Sequence, residues 1–204
     1  MRIRQHVNPL RSEYLQIELE PLSLVPGRPM EVELGSAEAY FLMERAVEAP
    51  GQTYIGVEIR RDLVIEANEL CQQKGLAQVH CVFANISVDL PRLFPPASVH
   101  RFFINFPDPW FKHRQRKRRV VGEELVDQLF DLLALDGEIH VATDIFDIAL
   151  DAMAVLEQET PRRFFNLHEP WSFLHQSLFA ARSRRERYCE KEGSRIWRLA
   201  YRRL

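Results

Sequence analysis

The chain has 204 residues, 46% hydrophobic and 27% charged, enough for one substantial core and too few for two ordinary domains. A formal net charge of −2 excludes a uniformly basic chain, and no apolar run approaches the length needed to cross a bilayer. Cys71, Cys81 and Cys189 form no CxxC pair and are odd in number, which speaks against a disulfide framework or a zinc site; reduced, buried thiols and no metal are expected.

Residues 1–28, with Pro9, Pro21 and Pro26, read as an irregular arm, basic and then acidic, and residues 29–204 as one domain. The first residues hold Arg2, Arg4 and His6 but no apolar signal core, so a cytoplasmic location is expected. Alternation predicts a strand over residues 30–34, ending at Gly35, and apolar spacing predicts a helix over 37–48. A second strand follows over 54–59 and a second helix over 61–74, then a third strand over 79–83. Residues 84–98, with Pro91, Pro95 and Pro96, read as loop. A fourth strand covers 99–105, a helix 122–135, a fifth strand 138–143 after Asp136-Gly137, and a helix 145–157. Strands and helices alternating at this length predict an α/β fold, a parallel sheet with helices on both faces. Ligands of such sheets bind beyond the carboxyl ends of the strands.

Those ends carry Gly35, Glu58, Asn85, Asp108 and Asp144. Glu33-Leu-Gly35-Ser-Ala37-Glu-Ala39 occupies the first strand–turn–helix, where nucleotide-binding folds use glycines so that backbone approaches the ligand; GxGxG has become GxAxA. Glu58 stands about 20 residues on, where a carboxylate accepts hydrogen bonds from a ribose diol. Asn85 is placed to reach an adenine amino group, although an Asn in a turn explains it nearly as well. This set suits a dinucleotide or an adenosyl ligand without choosing between them.

The fourth strand chooses. It runs into Asn105-Phe-Pro-Asp-Pro-Trp-Phe-Lys112, in which two prolines hold Asp108 between them and Trp110 follows at once. A carboxylate for the edge of a planar base and an aromatic for its face suit base recognition. Six of the eight residues from Lys112 to Arg119 are Lys or Arg, a density that suits phosphate contacts. A second basic segment runs from Arg182 to Arg203, while Glu31, Glu33, Glu38 and Glu44 gather elsewhere, so the near-neutral total is compatible with a basic face opposite an acidic one. Arg198, Arg202 and Arg203, in a last strand, suit RNA contact or the charged guard of an edge strand equally. The seven histidines have no metal-like spacing.

From about Glu31 to the C-terminus the chain resembles the tRNA (guanine-N7)-methyltransferase family. The run from Asn105 to Arg119 looks like that family's signature; His140-Val-Ala-Thr-Asp144 and Ser183-Arg-Arg-Glu186, with Gly193 and Ile196-Trp197 downstream, resemble two further segments. The resemblance implies a Rossmann-like class I methyltransferase, a mostly parallel seven-stranded sheet with helices on both faces and an antiparallel last strand. It implies S-adenosyl-L-methionine as cofactor, tRNA as partner, and transfer of a methyl group to N7 of a variable-loop guanine, by a monomer or homodimer. Carried over residue by residue, Glu33, Gly35, Glu58, Asn85 and Asp108 bind the cofactor, and Asp108 is also the catalytic or base-anchoring residue. Lys112, Asp144, Ser183, Arg184, Arg185 and Glu186 contact the substrate, and Arg116, Lys117, Arg118 and Arg119 meet RNA phosphates. The chain departs from the family at the glycine turn, at Asn85, where Asp is usual, and at Ser183, where Thr is usual. Two other readings remain: an NAD-dependent oxidoreductase, which needs a fuller glycine turn, and an RNA-binding relative whose cofactor site has been lost.

Overall fold

In the computed structural model, residues 7–22, 27–108, 121–158 and 163–204 are described. Among them the chain runs through a short helix α1 (Ser12–Leu15) and then alternates: β1 (Met30–Leu34), α2 (Tyr40–Glu48), β2 (Thr53–Glu58), α3 (Arg61–Gln73), β3 (Val79–Phe83), α4 (Leu90–Leu93), β4 (Val99–Asn105), α5 (Glu123–Leu132), β5 (Leu133–Thr143), α6 (Phe146–Leu156), β6 (Phe164–Asn166), α7 (Arg184–Lys191) and β7 (Trp197–Arg203). The strands form one sheet in the order β3-β2-β1-β4-β5-β7-β6. The first five are parallel, and β7 runs antiparallel to both β5 and β6. The expected seven-stranded, mostly parallel sheet with an antiparallel last strand is the observed one.

The two faces are covered by different helices. Met30, Val32 and Leu34 point to a large core with Ile55, Phe102, Ile104, Leu125, Leu129, Val141 and Met153, under α5 and α6. The opposite face packs Phe41, Leu42 and Ala46 of α2 and Val64 and Ala67 of α3 against Tyr54, Val79 and Phe103. Fully apolar faces on both sides are the ordinary condition of a parallel sheet. Here β1 is an exception, because its alternate residues Glu31 and Glu33 are buried under α2 rather than turned to water.

The differences from the sequence reading have local causes. Helix α2 starts at Tyr40 rather than at residue 37, because Ala37 and Ala39 adopt left-handed backbone angles, φ 47° and 56°, that no helix tolerates. The predicted loop 84–98 contains α4, with Pro91 in its first turn, where the missing N–H costs nothing. The fifth strand begins at Leu133, directly after α5, and bulges through Asp136 (φ 61°) before resuming its pairing with β4. Strand β6 lay outside the sequence reading. It is the edge strand, so β7 is interior and needs no charged guard. Its arginines turn inward to partners: Arg198 to Glu186 at 2.7 Å, Arg202 to Glu138 at 2.8 Å, and Arg203 to the Leu133 carbonyl.

Several arginines of the basic C-terminal segment are likewise paired within the fold. Arg184 pairs with Glu38 at 2.7 Å, Arg187 with Glu44 at 2.5 Å, and the Arg182 backbone N–H donates to Glu44 at 2.9 Å. These pairs tie α7 and the residue before its cap to α2 and to the turn that precedes it. The three cysteines are buried free thiols. Among the described residues no helix is long and apolar enough to cross a membrane, and no cluster of His, Cys, Asp or Glu is placed to hold a metal ion.

Candidate active site

The order in which strands are added reverses between β1, from which the sheet grows outward to β2, and β4, from which it grows the other way to β5. A crevice opens beyond the carboxyl ends of these strands. It comprises two cavities that share Gly35, Arg60, Asn105, Phe106, Pro107 and Asp108. One, of about 840 Å³, extends over Leu34, Glu58, Ile59, Asn85 and Ile86 towards Val7, Pro9 and Leu10 of the arm. The other, of about 520 Å³, is lined by Glu33, Ser36, Tyr40, Asp144, Ser183, Arg184 and Arg185.

The turn after β1 is built from left-handed residues at alternate positions, Gly35 (φ 80°), Ala37 and Ala39. It is tied to β2 by the Gly35 N–H, which donates to the Val57 carbonyl at 2.8 Å, and by the Ala37 N–H, which donates to Glu58 Oε2 at 2.9 Å. A Cβ on Gly56 would lie 2.5 Å from Ser36 Oγ, so this close packing of turn on strand requires glycine there. The glycine-type backbone thus persists although two of its positions hold alanine.

Glu33 is buried at the end of β1. Asn105 Nδ2 donates to its Oε1 at 2.9 Å, and its Oε2 has no partner among the described residues; nor has the neighbouring Ser36 Oγ. Burial pushes the Glu33 pKa up to about 8, against the lowering effect of the Asn105 bond, and the negative charge of Glu58 pushes it in the same direction as burial. Glu58 is also buried, but its carboxylate accepts four bonds, from Ala37 N–H and from the backbone N–H, Nε and Nη2 of Arg60. The Arg60 guanidinium has a raised pKa, first through its bond to Glu58 and then through the charges of Glu58, Asp108 and Glu38. Asn85 lines the larger cavity, with its amide turned towards the arm.

Phe106 carries the chain out of β4 in a left-handed conformation, φ 50°, fixed by its N–H donating to the Ala142 carbonyl at 2.7 Å. This turn swings Pro107 and Asp108 across the crevice, so that Asp108 lines both cavities. Asp144, just beyond β5, faces the smaller cavity and is held by Arg185 at 2.5 Å. Ser183 caps α7 by accepting from the Glu186 N–H at 3.1 Å. Glu186 is buried and bound by Arg198, so its carboxylate serves α7 rather than lining the cavity. Lys112, Trp110, Arg116, Lys117, Arg118 and Arg119 lie outside the described residues.

A putative methyltransferase family model matches residues 27–199. A tRNA (guanine-N(7)-)-methyltransferase of Thermosynechococcus vestitus is 35% identical over all of this chain and 95% of its own length, and one of Synechococcus sp. (strain JA-3-3Ab) is 36% identical over 97% of this chain and 84% of its own length. The chain belongs to the tRNA (guanine-N(7)-)-methyltransferase family. Its fold is shared with an rRNA methylase from Streptococcus thermophilus (TM-score 0.55, 10% identity, 87% of each chain) and with TrmN from Thermus thermophilus (TM-score 0.59, 17% identity, 87% of this chain and 45% of that one). Within this family member the sequence reading missed two residues of the crevice. Arg60 saturates Glu58, and its signal was a cation two positions after an acidic strand end. Asn105 supports Glu33, but its role depends on β1 and β4 being neighbours, which no local pattern shows.

Proposed function

We propose that this chain transfers a methyl group from S-adenosylmethionine to N7 of a guanine in the variable loop of tRNA. The observation that carries this reading is the pair of adjoining cavities meeting at Asp108, one suited to an adenosyl group and one rimmed by Asp144 and the head of α7. The residues fit the cofactor: an orphaned, buried Glu33 oxygen beside Gly35, with open space where a Gly35 Cβ would stand, suits the cationic methionine end. Glu58 suits the ribose hydroxyls, which would take the two places now held by the Arg60 side chain. When bound, the cofactor supplies an electrophilic methyl group on a sulfonium centre.

Guanine N7 carries a free lone pair at neutral pH, so no strong base is required. The chain's contribution is placement, which is worth roughly 7–11 kcal/mol where the reacting atoms are well aligned. Asp108 accepts from guanine N1–H and the 2-amino group, and Asp144 is a second acceptor for the same edge. A carboxylate there selects guanine over adenine, whose N1 is itself an acceptor, and stabilises the positive charge that grows on the ring. Lys112 and the basic residues from Arg116 to Arg119 are assigned to RNA contacts from the sequence alone, and Ser183, Arg184 and Arg185 to the substrate side from the lining of the smaller cavity.

The test is incubation of the purified chain with radiolabelled S-adenosylmethionine and unmodified tRNA, with Asp108→Ala as control. Label is expected at N7 of a variable-loop guanine, and the variant is expected to fold and lose at least about a hundredfold in turnover. RNA binding without label would favour a relative that has lost the reaction.

A further inference from the structure

The arm is tied to the cofactor crevice through the side chain of Asn85. Asn85, 1% exposed, donates both carboxamide protons to arm carbonyls, to Pro9 O at 2.9 Å and to Tyr14 O at 3.0 Å. Its Oδ1 accepts from the Ser87 N–H at 3.0 Å. A second tie lies one turn on: Arg92, paired with Asp89 at 2.6 Å, donates to the Ile17 carbonyl at 3.2 Å, and Ile17 is itself buried. So held, Val7, Pro9 and Leu10 form a wall of the 840 Å³ cavity that also contains Gly35, Glu58 and Ile86. An aspartate at position 85 has no proton to donate and would set a negative charge against two carbonyl oxygens. The carboxamide is therefore what this arm geometry requires, and its donors are already used.

We propose that Asn85 is a positioning residue that acts on the cofactor through the arm: it fixes the segment from Val7 to Leu10 as the apolar wall against which the adenosyl end of S-adenosylmethionine packs. The inference rests on reading the larger cavity as the adenosyl site. It replaces a direct hydrogen bond from the Asn85 amide to adenine with a surface supplied by the arm.

The test compares full-length wild type, Asn85→Asp, Leu10→Asp and the double variant by titration with S-adenosylmethionine, and by the rate of tryptic cleavage after Arg11 without cofactor. Leu10 is 56% exposed, so its replacement leaves the core intact. Asn85→Asp is expected to accelerate cleavage after Arg11 and to weaken binding about tenfold, the scale of two lost hydrogen bonds. Leu10→Asp is expected to weaken binding too, and the loss in the double variant to fall short of the product of the single losses, since both act through one wall. Unaltered cleavage in Asn85→Asp overturns the proposal, as does a double variant whose loss equals that product. Should Asn85→Asp fail to fold, Leu10→Asp decides alone, and unchanged affinity in it overturns the proposal. Wild type that binds no S-adenosylmethionine, with cleavage still accelerated in Asn85→Asp, overturns the reading of the cavity while leaving the arm's anchor in place.

Discussion

Glu31 and Glu33 lie two residues apart on the same face of β1, both buried, and their partners give them opposite roles. Glu31 accepts from Arg45 Nε and Nη2 at 3.0 and 2.8 Å and from Arg101 at 2.9 Å. Glu33 has one neutral donor and an orphaned oxygen facing the crevice. Its pKa stands at about 8 in the fold against an ordinary 4.5. Between those values the unfolded chain has released this proton while the folded chain keeps it, so stability falls as pH rises across the window and levels off above it. At about 1.4 kcal/mol per pKa unit, the cost is on the order of a few kcal/mol. Glu33→Gln is neutral and nearly isosteric. Urea unfolding at a series of pH values should find it more stable than wild type, with the gap widening up to about pH 8, while its affinity for S-adenosylmethionine falls at least about tenfold. A gap that does not change with pH would contradict the assignment.

At the scale of elements, the turn between β1 and α2 shows a backbone shape outlasting the residue type that normally permits it. Ala37 and Ala39 hold left-handed angles that cost an L-residue roughly 1–2 kcal/mol each. The packing of the turn on β2 over Gly56, and the Ala37 N–H bond to Glu58, keep them there. Ala37→Gly and Ala39→Gly should each stabilise the fold by up to about 1 kcal/mol, the gain being reduced by the greater freedom of glycine in the unfolded chain. For a chain of this size that is a rise of about 2–4 °C in Tm, measurable by calorimetry. A fall in Tm would mean that the alanine methyls make contacts outweighing the strain. The same turn shows that loss of the glycine letters is poor evidence for loss of a cofactor site, since the sequence records residue types and the site depends on backbone angles.

Across the whole molecule, a buried ionic network ties the sheet together. Arg45 on α2 and Arg101 on β4 share Glu31 of β1; Arg101 and Arg202 of β7 share Glu138 of β5, whose carboxylate also accepts from His140 Nε2 at 3.0 Å. Phe179 lies under the Arg45 guanidinium at 4.4 Å. Burial works to raise the Glu138 pKa and to lower that of His140; for Glu138 the bonds from His140, Arg202 and Arg101 outweigh burial and hold it well below the usual carboxylate range. Charges withdrawn from water in this way are costly to leave half-paired. Glu31→Gln removes the main partner of Arg45, with Glu48 at 3.0 Å as partial relief, and should destabilise the fold by about 3 kcal/mol in urea unfolding. The same chemical change two residues apart is thus expected to have opposite signs, destabilising at 31 and stabilising at 33.

The sequence by itself determined the order and kind of the principal elements and the end of the sheet where chemistry belongs. β3 and β4 have the predicted bounds, and Gly35, Glu58, Asn85, Asp108 and Asp144 stand at or just beyond strand ends. These features are legible because hydrophobic periodicity and turn chemistry are local properties of a few neighbouring residues. Pairings across the fold are not local. Only the tertiary structure decided that Asn105 supports Glu33, 72 residues away, and that the α7 arginines Arg184, Arg185 and Arg187 meet Glu38, Asp144 and Glu44. It also placed β7 inside the sheet and turned Asn85 to an arm 76 residues earlier in the chain. A carboxylate or guanidinium reads the same in sequence whether it meets water, a partner or a ligand, and the partner that distinguishes them is brought in by the fold.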